Sequence, residues 1–217
     1  MAYLMRMIDL SKWTQQPNTV HKPGDIDAVS LSDLSAENNE ISTWYLEELS
    51  EPEIQKVVLA LVSNFSSLDE VMIVFLNYDD VVGAGLSINT HEAPTKIEAY
   101  APLHRNIEKL NADRLVILAN LILQKVWADE VRAINAEELV AWFLPVLNQG
   151  ILDFNTLNKN FRSGFAGKVK KLFNKSKVDK QSLQPFVIKA LQDQWELNKK
   201  KTNCKYESIC PKYGHAS

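Results

Sequence analysis

Apolar residues recur along this chain with two different periods, and the change from one to the other marks the elements. Tyr3 to Asp9 alternates apolar and polar positions and predicts a short strand. The stretch that follows, through Pro17, Pro23 and Gly24 to Asn39, is rich in turn-forming residues and predicts a long connection. Glu40 to Glu47 (EISTWYLE) is rich in β-branched and aromatic residues and predicts a second strand. It runs into Ser50-Glu51-Pro52-Glu53, a capping box with proline in the first helical turn. Behind that start, Ile54, Val57, Val58, Leu61, Val62 and Phe65 fall at offsets 0, 3, 4, 7, 8 and 11, a single stripe on a 3.6-residue period. Val71 to Leu76 is then apolar at every position, as a strand buried on both sheet faces would be. Strand, helix and strand within residues 40–78 have the size and order of a βαβ unit, for which neighbouring parallel strands are the default expectation.

Further along, Val81 to Asn89, weakened by Gly83 and Gly85, and Thr95 to Tyr100 read as a hairpin at the sheet edge. From Leu103 onward the pattern is helical. One helix is predicted over Asp113 to Ala128, capped by Asn111, and another after Asn135-Ala136-Glu137-Glu138 through Leu147, which Pro145 should kink or end. Leu157, Phe161, Phe165, Val169, Leu172 and Phe173 form a helical stripe that Gly164 and Gly167 are expected to divide in two. Ser182 to Lys201 supplies a last helix, with Pro185 in its first turn. The fold class expected is therefore α/β or α+β: a mixed sheet of four to five strands, covered by the Pro52–Phe65 and Asp113–Ala128 helices, then a helical C-terminal part.

Composition adds little to this until the charges are placed. The 217 residues are 46% hydrophobic and 24% charged, an ordinary globular mix. The longest apolar stretch, Leu115 to Leu123, falls well short of the roughly 20 residues of a membrane span. Both cysteines, Cys204 and Cys210, lie near the C-terminus, and Met1 to Trp13 lacks the pattern of a signal peptide, so a cytoplasmic location is expected. The formal net charge of −3 conceals a division. Residues 1–150 carry 10 basic and 22 acidic side chains, a net of −12, whereas residues 151–217 carry 14 and 5, a net of +9. Two regions follow: an acidic α/β body over residues 1–150, and a basic helical region with a flexible tail over residues 151–217.

The strongest candidate chemistry is the basic cluster Arg162, Lys168, Lys170, Lys171, Lys175, Lys177 and Lys180, interleaved with Phe161, Phe165 and Phe173. Lysines neutralise phosphates and release counterions, an affinity that needs no sequence reading. The phenylalanine spacing is that of a buried stripe, which makes these rings packing residues first and stacking platforms second. The rival reading is a solvated helix face, or one docked on the protein's own acidic half. Cys204, Cys210 and His215 offer three zinc ligands in the order Cys-x5-Cys-x4-His, but the fourth ligand of such a finger is missing from the neighbourhood. Without zinc the segment is an ordinary reduced tail, and no other cofactor is indicated.

Asp79-Asp80 follows the proposed central strand at its carboxyl end, where α/β proteins keep their sites, and together with Glu98 would make a metal-dependent nuclease. The lysine such a site wants beyond its partner acid is absent, because Ala99 and Tyr100 follow Glu98, so turn-forming aspartates explain the pair better. His91-Glu92 and His104-Arg105 flank the second hairpin strand without a nucleophile to pair with. No glycine-rich phosphate loop, nucleophile elbow, zincin motif or dinucleotide fingerprint occurs. The sequence thus points away from an enzyme and toward a binding or accessory protein, its acidic body engaging a protein partner and its basic helices contacting nucleic acid or an acidic surface. Two alternatives stand beside it: an immunity-type protein that neutralises a toxin through its acidic face, and the metal-dependent nuclease.

Overall fold

The computed structural model describes residues 1–14, 26–34, 38–91 and 93–206, the side chains of residues 180 and 201–206 excepted. The chain divides into two compact units. The first comprises Met1–Asn64 and Asp69–Leu139, and the second comprises Phe65–Leu68 and Val140–Ser217. Residues 140–150 carry no charged side chain, so the units hold the same net charges, −12 and +9, as the two regions of the sequence.

The first unit is an α+β sheet structure. Its strands are β1 (Tyr3–Ile8), β2 (Ile41–Leu46), β3 (Val71–Asn77), β4 (Ser87–Thr90), β5 (His104–Glu108) and β6 (Arg132–Ile134). They form one six-stranded sheet in the order β4-β5-β2-β1-β3-β6, and every neighbouring pair is antiparallel. The helices α1 (Leu10–Trp13), α2 (Ala28–Asp33), α3 (Glu51–Val62), α4 (Tyr78–Gly83) and α5 (Ala112–Trp127) complete the unit. β2, α3 and β3 are the expected strand-helix-strand series, but β2 and β3 are not neighbours. β1 lies between them and pairs antiparallel with both, Tyr3 standing opposite Leu46 on one side and Asn77 on the other. A local pattern cannot show that a strand made earlier takes the central place.

Alternation along the strands builds two apolar faces. Leu4 and Ile8 of β1, Ile41 of β2 and Val74 and Leu76 of β3 pack with Leu118, Ala119, Ile122 and Leu123 of α5. The intervening Met5, Trp44 and Ile73 turn to the other face and are buried too. The stripe predicted for α3 holds for Ile54, Val57, Val58 and Val62, all buried, with Pro52 in the first turn, but the helix ends at Val62, short of Phe65, and Ser50 makes no side-chain capping hydrogen bond.

Three local expectations change. Thr95 to Tyr100 is no strand: Glu98–Leu103 is a 3₁₀ turn, and the fifth strand follows it at His104–Glu108. Only the end of Val81 to Asn89 is extended, since its first residues complete α4, whose amide groups are capped by the Asn77 side chain. β6 is three residues long and has no alternation to read.

The second unit contains most of α6 (Ala136–Asn148), which begins just before the division, together with α7 (Lys159–Asn174) and α8 (Pro185–Tyr206). Pro145 lies inside α6, which ends three residues later. α7 is a single helix of 16 residues with Gly164 and Gly167 in its interior. Two helical glycines cost about 1 kcal/mol each relative to alanine. Burial of Phe161, Phe165, Val169 and Leu172 on one side outweighs that cost, at about 1.5–3 kcal/mol for each large side chain.

Candidate functional site

The basic cluster of the second unit rests on α7, and the helix sorts its members by side. Phe161, Phe165, Val169 and Leu172 stand at offsets 0, 4, 8 and 11 and are buried. The rings form one aromatic knot: Phe143 meets Phe161 at 5.4 Å and Phe165 at 6.0 Å, both edge-on, and Phe154 meets Phe165 at 5.7 Å. Phe173 is held differently, edge-on to Trp195 of α8 at 6.1 Å, while the Trp195 indole N–H donates to the Ala166 carbonyl at 2.6 Å. Ser163 Oγ donates to Asn198 Oδ1 at 2.8 Å and fastens the same two helices one turn further along. The aromatic residues interleaved with the lysines are therefore spent on internal packing.

About a quarter turn around the helix from the buried stripe, Gly164, Lys168, Lys171 and Lys175 stand at offsets 0, 4, 7 and 11, one row along the axis. Gly167 adjoins it, four residues before Lys171. Lys171 and Lys175 are exposed and Lys168 is half-buried along its stem. Among the described residues the Lys168 and Lys171 side chains make no ion pair or hydrogen bond. A Cβ built on Gly167 would meet nothing within 4 Å, and one on Gly164 only Leu68 Cβ at 3.6 Å. The backbone of the row is thus open from outside and is not narrowed to suit the protein's own packing.

The remaining members of the cluster do not join the row. Arg162 lies around the helix from it, where Nη1 donates to Asn155 Oδ1 at 3.4 Å and Nε is buried with no partner among the described residues. Lys170 points toward α8, where its charge helps to hold the Glu196 carboxyl below its usual value, behind the larger contribution of the hydrogen bond from Lys199. Lys177 follows the helix end, and Lys180 begins a short 3₁₀ turn with its side chain outside the described residues.

Cys204 falls in the last turns of α8 with its side chain outside the described residues, and Cys210 and His215 lie outside them altogether. Asp79 and Asp80 form the first turn of α4, where their amides donate to the Asn77 side chain and their carboxylates suit the positive end of the helix. Glu98 sits in the 3₁₀ turn, and among the described residues no three His, Cys, Asp or Glu side chains form a group that would hold a metal ion. His104 is buried in β5, edge-on to Trp44 at 5.2 Å. Its Nδ1–H donates to the His91 carbonyl at 2.7 Å, and burial pulls the imidazole below its ordinary pKa. The ring is tied into the strand as a structural group. Glu92 lies outside the described residues.

Sequence reasoning did not find the polar centre of the sheet unit. β1 and β2 stay paired from Tyr3 to Met5, and beyond that the Arg6 guanidinium bridges the parting strands. Nη1 donates to the Ser42 carbonyl at 3.0 Å and Nη2 to the Asp33 carbonyl at 3.1 Å. The Asp33 carboxylate in turn accepts the Trp13 indole N–H at 2.7 Å and the Asp9 amide at 3.1 Å. Burial lowers the Arg6 pKa, and the Asp33 charge opposes that shift. Beside this network is a cavity of about 200 Å³ lined by Arg6, Asp9, Asp33, Ser42, Trp44 and Leu61 among others. The one signal in the sequence is an arginine in the middle of the apolar run YLMRMI.

Four exposed acids lie at one end of the sheet. β1 begins there while β2 and β3 end, which brings together Glu47, Glu48, Asp79 and Asp80 with the apolar Leu49 and Val82, 45% and 48% exposed. Among the described residues no helix is long and apolar enough to cross a membrane. Compared with known family models, curated proteins and solved structures, the chain matches none.

Proposed function

We propose that this chain is a non-catalytic binding protein, an accessory factor whose acidic sheet unit engages a protein partner while its basic helical unit contacts nucleic acid. The observation that carries the reading is the coincidence of two divisions. The chain separates into two compact units, and the same separation leaves −12 on one and +9 on the other. A unit of fewer than 90 residues with 14 basic side chains creates a field that attracts polyanions and dissipates with salt. Lys168 and Lys171 of α7 supply the contact. The test is binding of labelled DNA and RNA across a salt series. Alanines at Lys168 and Lys171 should weaken binding about tenfold or more, and alanine at Lys170 less, because Lys170 stands off the row. Absence of salt-sensitive binding to any nucleic acid would remove this part of the reading.

A second reading, neutralisation of a toxin by an immunity-type protein, draws on the acidic end of the sheet. Exposed apolar residues set among carboxylates make an interface suited to a basic protein surface. Lysine substitutions at Glu47, Glu48 and Asp79 discriminate between the two. They abolish capture of a basic partner under either reading, whereas nucleic-acid binding that stays intact or strengthens in the same variants belongs to the first alone.

A further inference from the structure

We infer that the nucleic acid the α7 row takes is double-helical, gripped through its phosphates without reading of bases; this rests on the nucleic-acid reading above and narrows it. Single strands are held by non-specific binders through two devices, a basic track for the backbone and aromatic rings on which bases stack. α7 has the first and not the second. Phe161 and Phe165 are fully buried in the knot with Phe143 and Phe154, and Phe173 is engaged by Trp195. Among the described residues of the unit, Phe186 is the large exposed ring, and it lies on α8 beside the apolar cavity of Leu147, Leu152 and Phe154 rather than on α7.

The row itself has the dimensions of a duplex contact. Lys168 to Lys175 spans about 10 Å of helix, the rise of about three nucleotide steps along one strand of B-form DNA at 3.4 Å each. A single unbroken helix keeps the points from which these lysines project on one line, as a stiff duplex requires and a flexible strand does not. The glycines give a second, independent reason. At Gly167 alanine fits without touching anything, so nothing inside the protein asks for glycine there. An open backbone beside Lys171 lets a sugar–phosphate strand approach the helix surface more closely than a row of side chains would allow. Per phosphate neutralised, a duplex also releases more counterion than a single strand, with a salt slope of about −0.9 against −0.7. Without stacking to compensate, the duplex is favoured.

The experiment uses the full chain, a short DNA duplex and each of its single strands, titrated at several salt concentrations. The duplex should bind at least as tightly as either strand, with an affinity independent of its sequence. Replacing Lys168 and Lys171 together by alanine should lower the magnitude of the duplex salt slope by about 2. Gly167→Glu, whose Cβ would meet nothing within 4 Å, should weaken the duplex several-fold, and circular dichroism reports that the helices persist. Tenfold tighter binding of single strands overturns the duplex assignment while the broader reading stands, and a duplex slope unchanged by both variants overturns the assignment of the contact to the α7 row, for the duplex and for the broader reading alike. Failure to bind either form at low salt overturns both.

Discussion

The two units handle basic side chains in opposite ways. In the sheet unit most of the described ones are taken up by the unit's own groups: Arg6 bridges two backbone carbonyls, Lys125 pairs with Glu130 at 2.7 Å, and Arg132 holds Glu51 through both nitrogens at 2.8 and 2.9 Å. Arg105 donates to the Pro102 and His104 carbonyls and lies 5.0 Å over the Tyr45 ring, while Arg114 donates to the Lys109 carbonyl. What remains for the exterior is carboxylate. The helical unit builds its core from rings instead and leaves the Lys168 and Lys171 ammonium groups without partners among the described residues. Net charge alone does not make a binding surface. A surface arises where the fold declines to neutralise its own charges, and the two units decline with opposite signs.

The contrast is most vulnerable in the aromatic core of the helical unit. Phe165→Ala removes the ring shared by Phe143, Phe154 and Phe161, and should destabilise that unit by about 4 kcal/mol in denaturant unfolding. A loss below about 1 kcal/mol would mean that the rings are not what holds these helices. Next comes Arg6→Met in the sheet unit, which strands the Ser42 and Asp33 carbonyls and leaves the Asp33 carboxylate without its buried cation. The expected loss is about 3 kcal/mol. Lys125→Met, which breaks a pair whose acid is half exposed, should cost under about 1 kcal/mol in the same assay. Equal losses would contradict the distinction between internal and surface pairing.

The smallest effect is in pH. His104 has its folded pKa below the ordinary value of 6.5, so the unfolded chain takes the proton first. Its contribution is intact above about pH 6.5 and declines as the pH falls through that value toward the lower folded pKa. Glu51 also sits below its ordinary value, through its hydrogen bond from Arg132, and its contribution is lost only at more acid pH. Stability measured between pH 7 and 5 should therefore slope in the parent and flatten in His104→Asn. An unchanged slope would place the titrating group elsewhere.

Much of the fold was legible because its strongest elements bury one continuous face. The α3 stripe, the apolar run of β3 and the caps of α5 each carry a local signal that packing reinforces. β5 was missed because two of its inward positions are polar: His104 and Asn106 are buried, the latter donating to Glu40 Oε2 at 2.7 Å. Alternation of hydrophobicity fails where burial is met by hydrogen bonding. α7 was expected to break because propensity is local, whereas the aromatic knot that holds it straight involves residues from 143 to 165. The basic cluster was legible as composition but not as geometry, since only the helix phase separates Lys168 and Lys171 from Lys170 and Arg162. The Arg6–Asp33 network joins residues 27 apart and leaves almost no periodic trace.

The position of β1 bears on how the chain is made. It leaves the ribosome before either strand that flanks it, and its partner Asn77 is added some 70 residues later. At about 5–20 residues per second, the apolar strand waits several seconds with both edges open. During that interval the nascent chain presents the kind of segment that chaperones hold and that aggregates recruit. Slow decoding between β2 and β3 would lengthen the exposure, so the yield of folded protein should be sensitive to codon choice over residues 47–70 and much less so beyond β3.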